Sequence, residues 1–246
     1  MDGKAIKGSI ENANNENQSF VMVISAYSSD LKRTLGIEAI DTNEESEIAA
    51  VRKLIERLGL KGVVMTGDAL HATIKTMEAI RESGNEYVLQ VKKNRPAWHE
   101  EAERVCRDEA PEDESRSIEK NKGRVETREV SVYEASEKLK SKKLGIKKII
   151  KMTRNGNVHY YFSSVSKTAK ELGEIKRGHW SIESMHYVKD MVMKEDVGRT
   201  KNKTVAVILS ILRAFAMNVL FAAGFKSPTS FTRLYSHKIN DLINFI

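Results

Sequence analysis

The sequence predicts an α/β fold: a mixed sheet flanked by helices, with a β-rich stretch inserted in the middle of the chain. Three observations lead there. Short β-rich apolar runs alternate with amphipathic helical stretches over the first 96 residues, a second group of β-like runs follows, and helical periodicity returns near the end. The opening order of hairpin, helix, strand, helix, strand gives a sheet with mixed strand directions.

"SFVMVISAYSS" (19–29) and "LKRTLGIEAID" (31–41) are two β-rich runs separated by a short polar turn, the pattern of a hairpin. The next stretch, "TNEESEIAAVRKLIERLGL", has Thr42 or Asn43 as candidate N-cap and acids in its first turn. Its apolar residues Ile48, Val51, Leu54, Ile55 and Leu58 make an amphipathic helix ending near Gly59. "KGVVMTGDALH" then reads as a short strand broken at Gly67 and Asp68, "HATIKTMEAIRESG" as a helix stopped by Gly84, and "NEYVLQVKKN" as a strand closed by Pro96. Residues 97–107 look helical, and 108–124 read as a charged, turn-rich connection. "VETREVSVYEA", "GIKKIIKMTRN" and "NVHYYFSSVS" are three β-like runs, the last two joined at Asn155-Gly156 by a tight hairpin turn. Helix follows from "KTAKELGEIKRGHW" to about Lys194 and again from Lys201 to Ala223.

At 246 residues with 40% hydrophobic composition, the chain can fill a real core. Its 41 basic and 34 acidic residues leave a net charge of +7, which attracts polyanions without proving that one binds. The single cysteine, Cys106, excludes an intramolecular disulfide and a multi-cysteine zinc site. With no apolar signal-peptide region at the start, the expected location is the cytoplasm. The apolar run 204–225 has the length of a membrane span but carries Arg213 at its centre, at a cost of about 2.5–3.5 kcal/mol, so a buried core helix and no membrane partner are expected.

Two candidate chemical positions come from the fold reading. Asp68 lies just past a strand end, where carboxylates converge easily in a crevice over an α/β sheet, although it is equally placed to cap a helix. Asp2 opens a Gly3-Lys4 turn. A third position lies in "RGHWSIESMHYVKDM" (177–191), where His179, Glu183, His186 and Asp190 recur at spacings of four, three and four, one stripe of a helix. A di-iron bundle would need a second Glu-x-x-His helix and a zinc hydrolase a His-Glu-x-x-His, and neither exists in the chain. Two readings stay open: a solvated helix face, or Glu183 binding metal while His179, His186, Lys176 and Arg177 face phosphates.

"DGKAIKGS" (2–9), "LKGVVMTGDALH" (60–71), "YVLQVKKN" (87–94), "KGRVETRE" (122–129) and "RGHWSIESMHYVKDM" (177–191) together resemble, in order, the catalytic domain of bacterial DDE-type insertion-sequence transposases. The branch is the one that includes the H-repeat-associated proteins, and the resemblance runs from residue 2 to about 223. It implies an RNase H-like core (1–96 and 166–223), a β-rich insertion (97–165) before the helix bearing the last acid, and a tail (224–246). By position, Asp2, Asp68 and Glu183 match the three catalytic, metal-binding acids. The implied cofactor is Mg²⁺, with Mn²⁺ as substitute, because hard cations prefer carboxylate oxygen. The implied partner is double-stranded DNA, as transposon ends and target, held by a homodimer. Lys4, Lys92, Lys93, Lys176, Arg177, His179, Trp180 and His186 are the expected DNA-facing residues, with Lys7 and Arg95 beside them.

Some positions depart from the family. Its pattern of tyrosine, arginine, glutamate and lysine aligns with Lys176, His179, Glu183 and Asp190, of which only Glu183 agrees. Lys122 stands where many relatives have histidine and Lys93 where they have glycine. Only Met1 precedes Asp2, so the expectation is a truncated product with a frayed Asp2 and weak or absent transposition. The alternatives are a metal-dependent nuclease without strand transfer and a non-catalytic DNA-binding relic. For the lysine-rich run 138–151, lysines on the solvent face of a strand are expected, and for Trp98 and Trp180, core packing.

Overall fold

The computed structural model describes residues 1–10, 19–121, 124–140, 143–198, 200, 202–236, 238 and 240. Lys122, singled out above, lies outside them, as do parts of the lysine-rich run and of the tail. The chain forms two compact units, Met1 with Val51–Trp180, and Asp2–Ala50 with Ser181–Ile246.

The first unit is built on a six-stranded mixed sheet. Its strands are β4 (Val64–Gly67), β5 (Glu86–Val91), β6 (Asp113–Asn121), β7 (Arg124–Glu134), β8 (Lys148–Arg154) and β9 (Asn157–Ser163), counted after three strands of the second unit, β1 (Asp2–Ala5), β2 (Val21–Ser28) and β3 (Arg33–Asp41). The order is β4-β5-β9-β8-β7-β6, with β4 and β5 parallel and every other pair antiparallel. The strands between residues 97 and 165 thus continue the sheet that β4 and β5 begin. Asn155 and Gly156 both have positive φ, 48° and 83°, which matches the twist a two-residue hairpin needs between β8 and β9.

Helices cover both faces of this sheet. The register aligns Leu89, Phe162, Ile149 and Tyr133 in one row and Gln90, Tyr161, Ile150 and Val132 in the next. Neighbouring rows point to opposite faces, and both are buried, so each face needs a cover. Helix α3 (Pro96–Asp108) supplies one through Trp98, whose ring lies 5.7 Å from that of Phe162. The start of helix α4 (Ala169–Met191) supplies the other, packing Ala169, Leu172 and Ile175 against Val88, Val130, Val132, Ile150 and Tyr161. Helix α2 (Ile74–Glu82), capped by Thr73, links β4 to β5.

The second unit holds the antiparallel sheet β1-β2-β3 and helices α5 (Lys203–Ala222) and α6 (Pro228–Tyr235). Ile6, Val21, Val23 and Ala206 form one core cluster, and Ile182, Met185 and Met217 another. Two polar anchors hold α5 along β3: Lys203 Nζ donates to Asp41 Oδ2 at 2.6 Å, and the Asn218 amide bonds both the N–H and the C=O of Thr34 at 2.9 and 2.8 Å. The anchors are about 22 Å apart along the helix and about 23 Å along the strand, so helix and strand run in matched, opposite directions.

Several expectations change. Helix α1 (Glu47–Leu58) starts later than Thr42 or Asn43, because Ser46 Oγ accepts from the Ala49 N–H at 3.3 Å and takes the capping role. The stretch read as a turn-rich connection contains β6, a charged edge strand held by its register on β7 and the Arg116–Glu129 pair. Asp2 lies in β1 opposite Ser25, so it neither opens a turn nor frays. Asp68 is not the cap of α2. Helix α5 is no buried core helix either: only one of its faces is covered, and by length and composition it is the one described helix long and apolar enough to cross a membrane. The region assigned to a tail contains α6, with Ser227 accepting from the Ser230 N–H and Pro228 in the first turn.

Candidate functional site

In the first unit, Asp68 follows the last residue of β4. Its Oδ1 accepts from the Leu70 N–H at 2.9 Å, and buried His71 approaches it at 3.8 Å, while the carboxyl side chain stays 47% exposed. The loop beneath is pinned from the neighbouring strand end. Asn94 Nδ2 donates to Ala69 O at 3.0 Å and Arg95 Nε to Ala72 O at 3.2 Å. A Cβ on Gly67 would meet Leu89 Cδ2 at 3.0 Å and His71 Cβ at 3.3 Å, so any larger residue under Asp68 would have to push these side chains aside. Because β4 and β5 are parallel, exposed Lys92 and Lys93 emerge at the same sheet edge as Asp68.

His179 is buried, with Nδ1 2.9 Å from Thr66 Oγ1, and so braces the helix against β4 rather than reaching outward. Trp180 lies under Arg154 at 4.0 Å and Arg128 at 5.4 Å, two cation–π contacts whose guanidinium groups both pair with Glu126. Its packing is thus with arginines rather than with an apolar core. Lys176 rests over Tyr161 at 5.4 Å, and Arg177 pairs with Glu119. His159, which sequence reasoning missed, is held below the ordinary histidine range by burial and then by the nearby charges of Lys92, Lys176 and Arg154. Those three cations therefore share one locality. No spacing signal pointed to it, because strand, hairpin and helix residues meet there only through the sheet.

In the second unit, two polar rungs tie β1 to α4. His186 Nδ1 is 3.4 Å from Asp2 Oδ2, and Lys4 Nζ is 2.7 Å from Asp190 Oδ1. Residues two apart on a strand and four apart on a helix both advance by about 6–7 Å, so the rungs are in step. Glu183, exposed, precedes His186 by three residues on the same helix face. Asp2 and Glu183 are thus set by one strand–helix register.

Lys4 changes role as a result. It was expected beside phosphates, yet its side chain is 11% exposed and touches Asp190, Glu195 and Asp196 within 3.1 Å, so its charge is neutralised inside the unit. Burial lowers the ammonium pKa, but these carboxylates outweigh it and hold Lys4 above the usual lysine value. Lys189 and Glu195, each with a side chain 1% exposed, pair at 3.0 Å, and Lys189 also donates to Ser210 Oγ at 2.7 Å. Burial pulls Lys189 down against Glu195. Glu195 is raised by burial, but two ammonium groups more than offset that and leave it below its ordinary value. Asp190, unassigned from sequence, is the partner of Lys4. Lys189, Glu195 and Asp196 carried no sequence signal, since only the packing of a helix end against a strand brings them together.

The donor types suit a hard cation: Asp2, Asp68 and Glu183 all offer carboxylate oxygen, and Asp68 has one oxygen bonded and the other side open. Among the described residues, no group of three His, Cys, Asp or Glu side chains forms a ready metal cage.

Known proteins give this arrangement a context. The family described as Transposase DDE domain matches residues 2–219, a range that contains all three acids. The chain is 30% identical over 252 residues to the H repeat-associated putative transposase YhhI of Escherichia coli K12, covering 92% of this chain and 66% of that protein. It is 30% identical over 240 residues to the putative transposase YncI of E. coli O157:H7, covering 89% and 60%, and 29% identical to the putative protein YbfL of E. coli K12, covering 92% and 66%. It therefore spans just under two thirds of the length of these relatives. With sheet order and a family match over most of its residues in agreement, this α/β chain of the RNase H-like type belongs to the DDE transposase domain family.

Proposed function

We propose that the chain is the catalytic domain of a DNA transposase that cuts and transfers strands at insertion-sequence ends, with Asp2, Asp68 and Glu183 as its catalytic carboxylates. Residues 97–165 are the insertion within that domain. The observation that carries the reading is the Asp2–His186 contact at 3.4 Å, which sets a strand carboxylate beside the helix face bearing Glu183, inside the family match. Bound Mg²⁺ or Mn²⁺ supplies activation of the attacking oxygen and stabilisation of the leaving one at a phosphodiester. Asp2, Asp68 and Glu183 are the carboxylates that would hold it. His186 orients Asp2, and the pinned loop at 68–73 fixes Asp68. Lys92, Lys93 and Lys176 take DNA phosphates, while His179, braced on Thr66, and Arg177, paired with Glu119, keep the helix in place. The domain acts in the cytoplasm on double-stranded DNA.

The test incubates the chain with linear DNA carrying the element's end and Mg²⁺ or Mn²⁺, scoring nicked and joined strands, with Mn²⁺ binding followed by proton relaxation. Asp68→Asn and Glu183→Gln are expected to lower cleavage at least 100-fold and to weaken Mn²⁺ binding. Wild-type protein that neither cleaves nor binds Mn²⁺, or variants indistinguishable from it, would refute the proposal. Cleavage without joined products would point to a nuclease.

A further inference from the structure

Helices in folded proteins turn their larger apolar side chains inward, and over most of its length α5 does not. Its covered face carries Ala206, Ser210 and Ala214 before Met217 and Leu220 near its end, whereas Val205, Ile208, Leu212, Phe215 and Val219 are 40–64% exposed. Their spacing of three, four, three, four is the a/d repeat of a helix-pairing seam, about 21 Å long. Leu209 and Ile211 widen it on either side. The one cation within it, Arg213, is turned away, with Nε on Met193 O at 3.1 Å.

We infer that this face of α5 is where a second copy of the chain docks, α5 against α5 across a two-fold axis. An uncharged a/d stripe is complementary to itself, because each large side chain finds the hole between four residues of an identical partner and no like charges meet. The seven side chains offer roughly 600 Å² of apolar surface, most of the ~800 Å² per partner of a standard-size interface. That area lies at the upper end of the ~300–600 Å² that the largest apolar patch of a typical monomer exposes. The inference is independent of the proposed chemistry, since neither DNA nor metal enters it.

Sedimentation velocity of the full chain without DNA, from about 0.5 to 50 μM, tests it. Wild type is expected to reach twice 27.8 kDa. Leu212→Lys and Phe215→Lys, each at an exposed position, should raise the dissociation constant at least ~100-fold, while Val158→Lys, exposed on β9, leaves it unchanged. In the wild-type chain, amide exchange of residues 203–222 should slow with concentration. A monomer throughout with concentration-independent exchange, a dimer that survives both lysines, or a monomer whose α5 instead binds phosphatidylcholine vesicles would overturn the inference.

Discussion

Replacing Lys189 with methionine tests the electrostatic anchor of the Glu183-bearing helix. The substitution keeps the stem volume but removes an ammonium that bonds Glu195 at 3.0 Å and Ser210 at 2.7 Å, both within a side-chain environment that is 1% exposed. Removing one member of a buried pair costs about 3–5 kcal/mol because the other charge stays buried. Lys4 still stands 3.1 Å from Glu195, so the lower end, about 3 kcal/mol, applies. For a chain of this length that is about 6–12 °C in Tm. Lys189→Met with Glu195→Leu should return to within ~1 kcal/mol of wild type, because no charge is then stranded and Lys4 keeps Asp190 and Asp196. Urea unfolding followed by far-UV circular dichroism measures this. Tryptophan fluorescence would mislead, since Trp98 and Trp180 both lie in the other unit. A single-variant loss under ~1 kcal/mol, or a double variant as unstable as the summed singles, would refute the reasoning. The pH signs follow from the same groups. Glu195 is lowered in the folded state, so its contribution is present above pH 4.5 and fades as pH falls through its folded value; Glu195→Gln should differ from wild type least in acid. Lys4 is raised, so its contribution is full below pH 10.5 and fades above it.

Gly67→Ala should lower stability by about 1–3 kcal/mol in a thermal melt and disturb Asp68, because the new Cβ meets Leu89 and His71. Burial pushes the Cys106 thiol up to about 12, so iodoacetamide at pH 8 should label it slowly in the native chain and rapidly in urea. Lys92→Ala with Lys93→Ala should reduce the slope of log affinity for duplex DNA against log salt by about 1.8, and an unchanged slope would remove both from the phosphate contacts. Lys4→Ala should leave that slope unchanged while lowering stability, because Lys4 already faces three carboxylates.

Most elements were legible where pattern and local chemistry agree. Asn155-Gly156 encodes its own turn, Gly59 and Gly84 end their helices, and "GIKKIIKMTRN" and "NVHYYFSSVS" read as the two strands that β8 and β9 form. Strand β6 was not legible, because an edge strand in "DESRSIEKN" is chosen by its partner β7 and not by its own polarity. Ser46 displaced Thr42 and Asn43 as a cap because Thr42 is spent on bonds to the Phe20 backbone.

By itself the sequence determined most of the element order and the family, because helix and strand periodicity, turn residues and ordered motifs are local properties. Only the tertiary structure decided what the basic residues do. A lysine's formal charge is the same in every environment, yet Lys4 is neutralised by carboxylates, Lys189 is buried beside Glu195, and Lys92 and Lys93 remain exposed at a strand end. It likewise decided which face of α5 is covered. Hydropathy counts apolar residues without regard to side, and the direction of Phe215 and Leu212 follows from where Lys203 and Asn218 fasten the helix to β3.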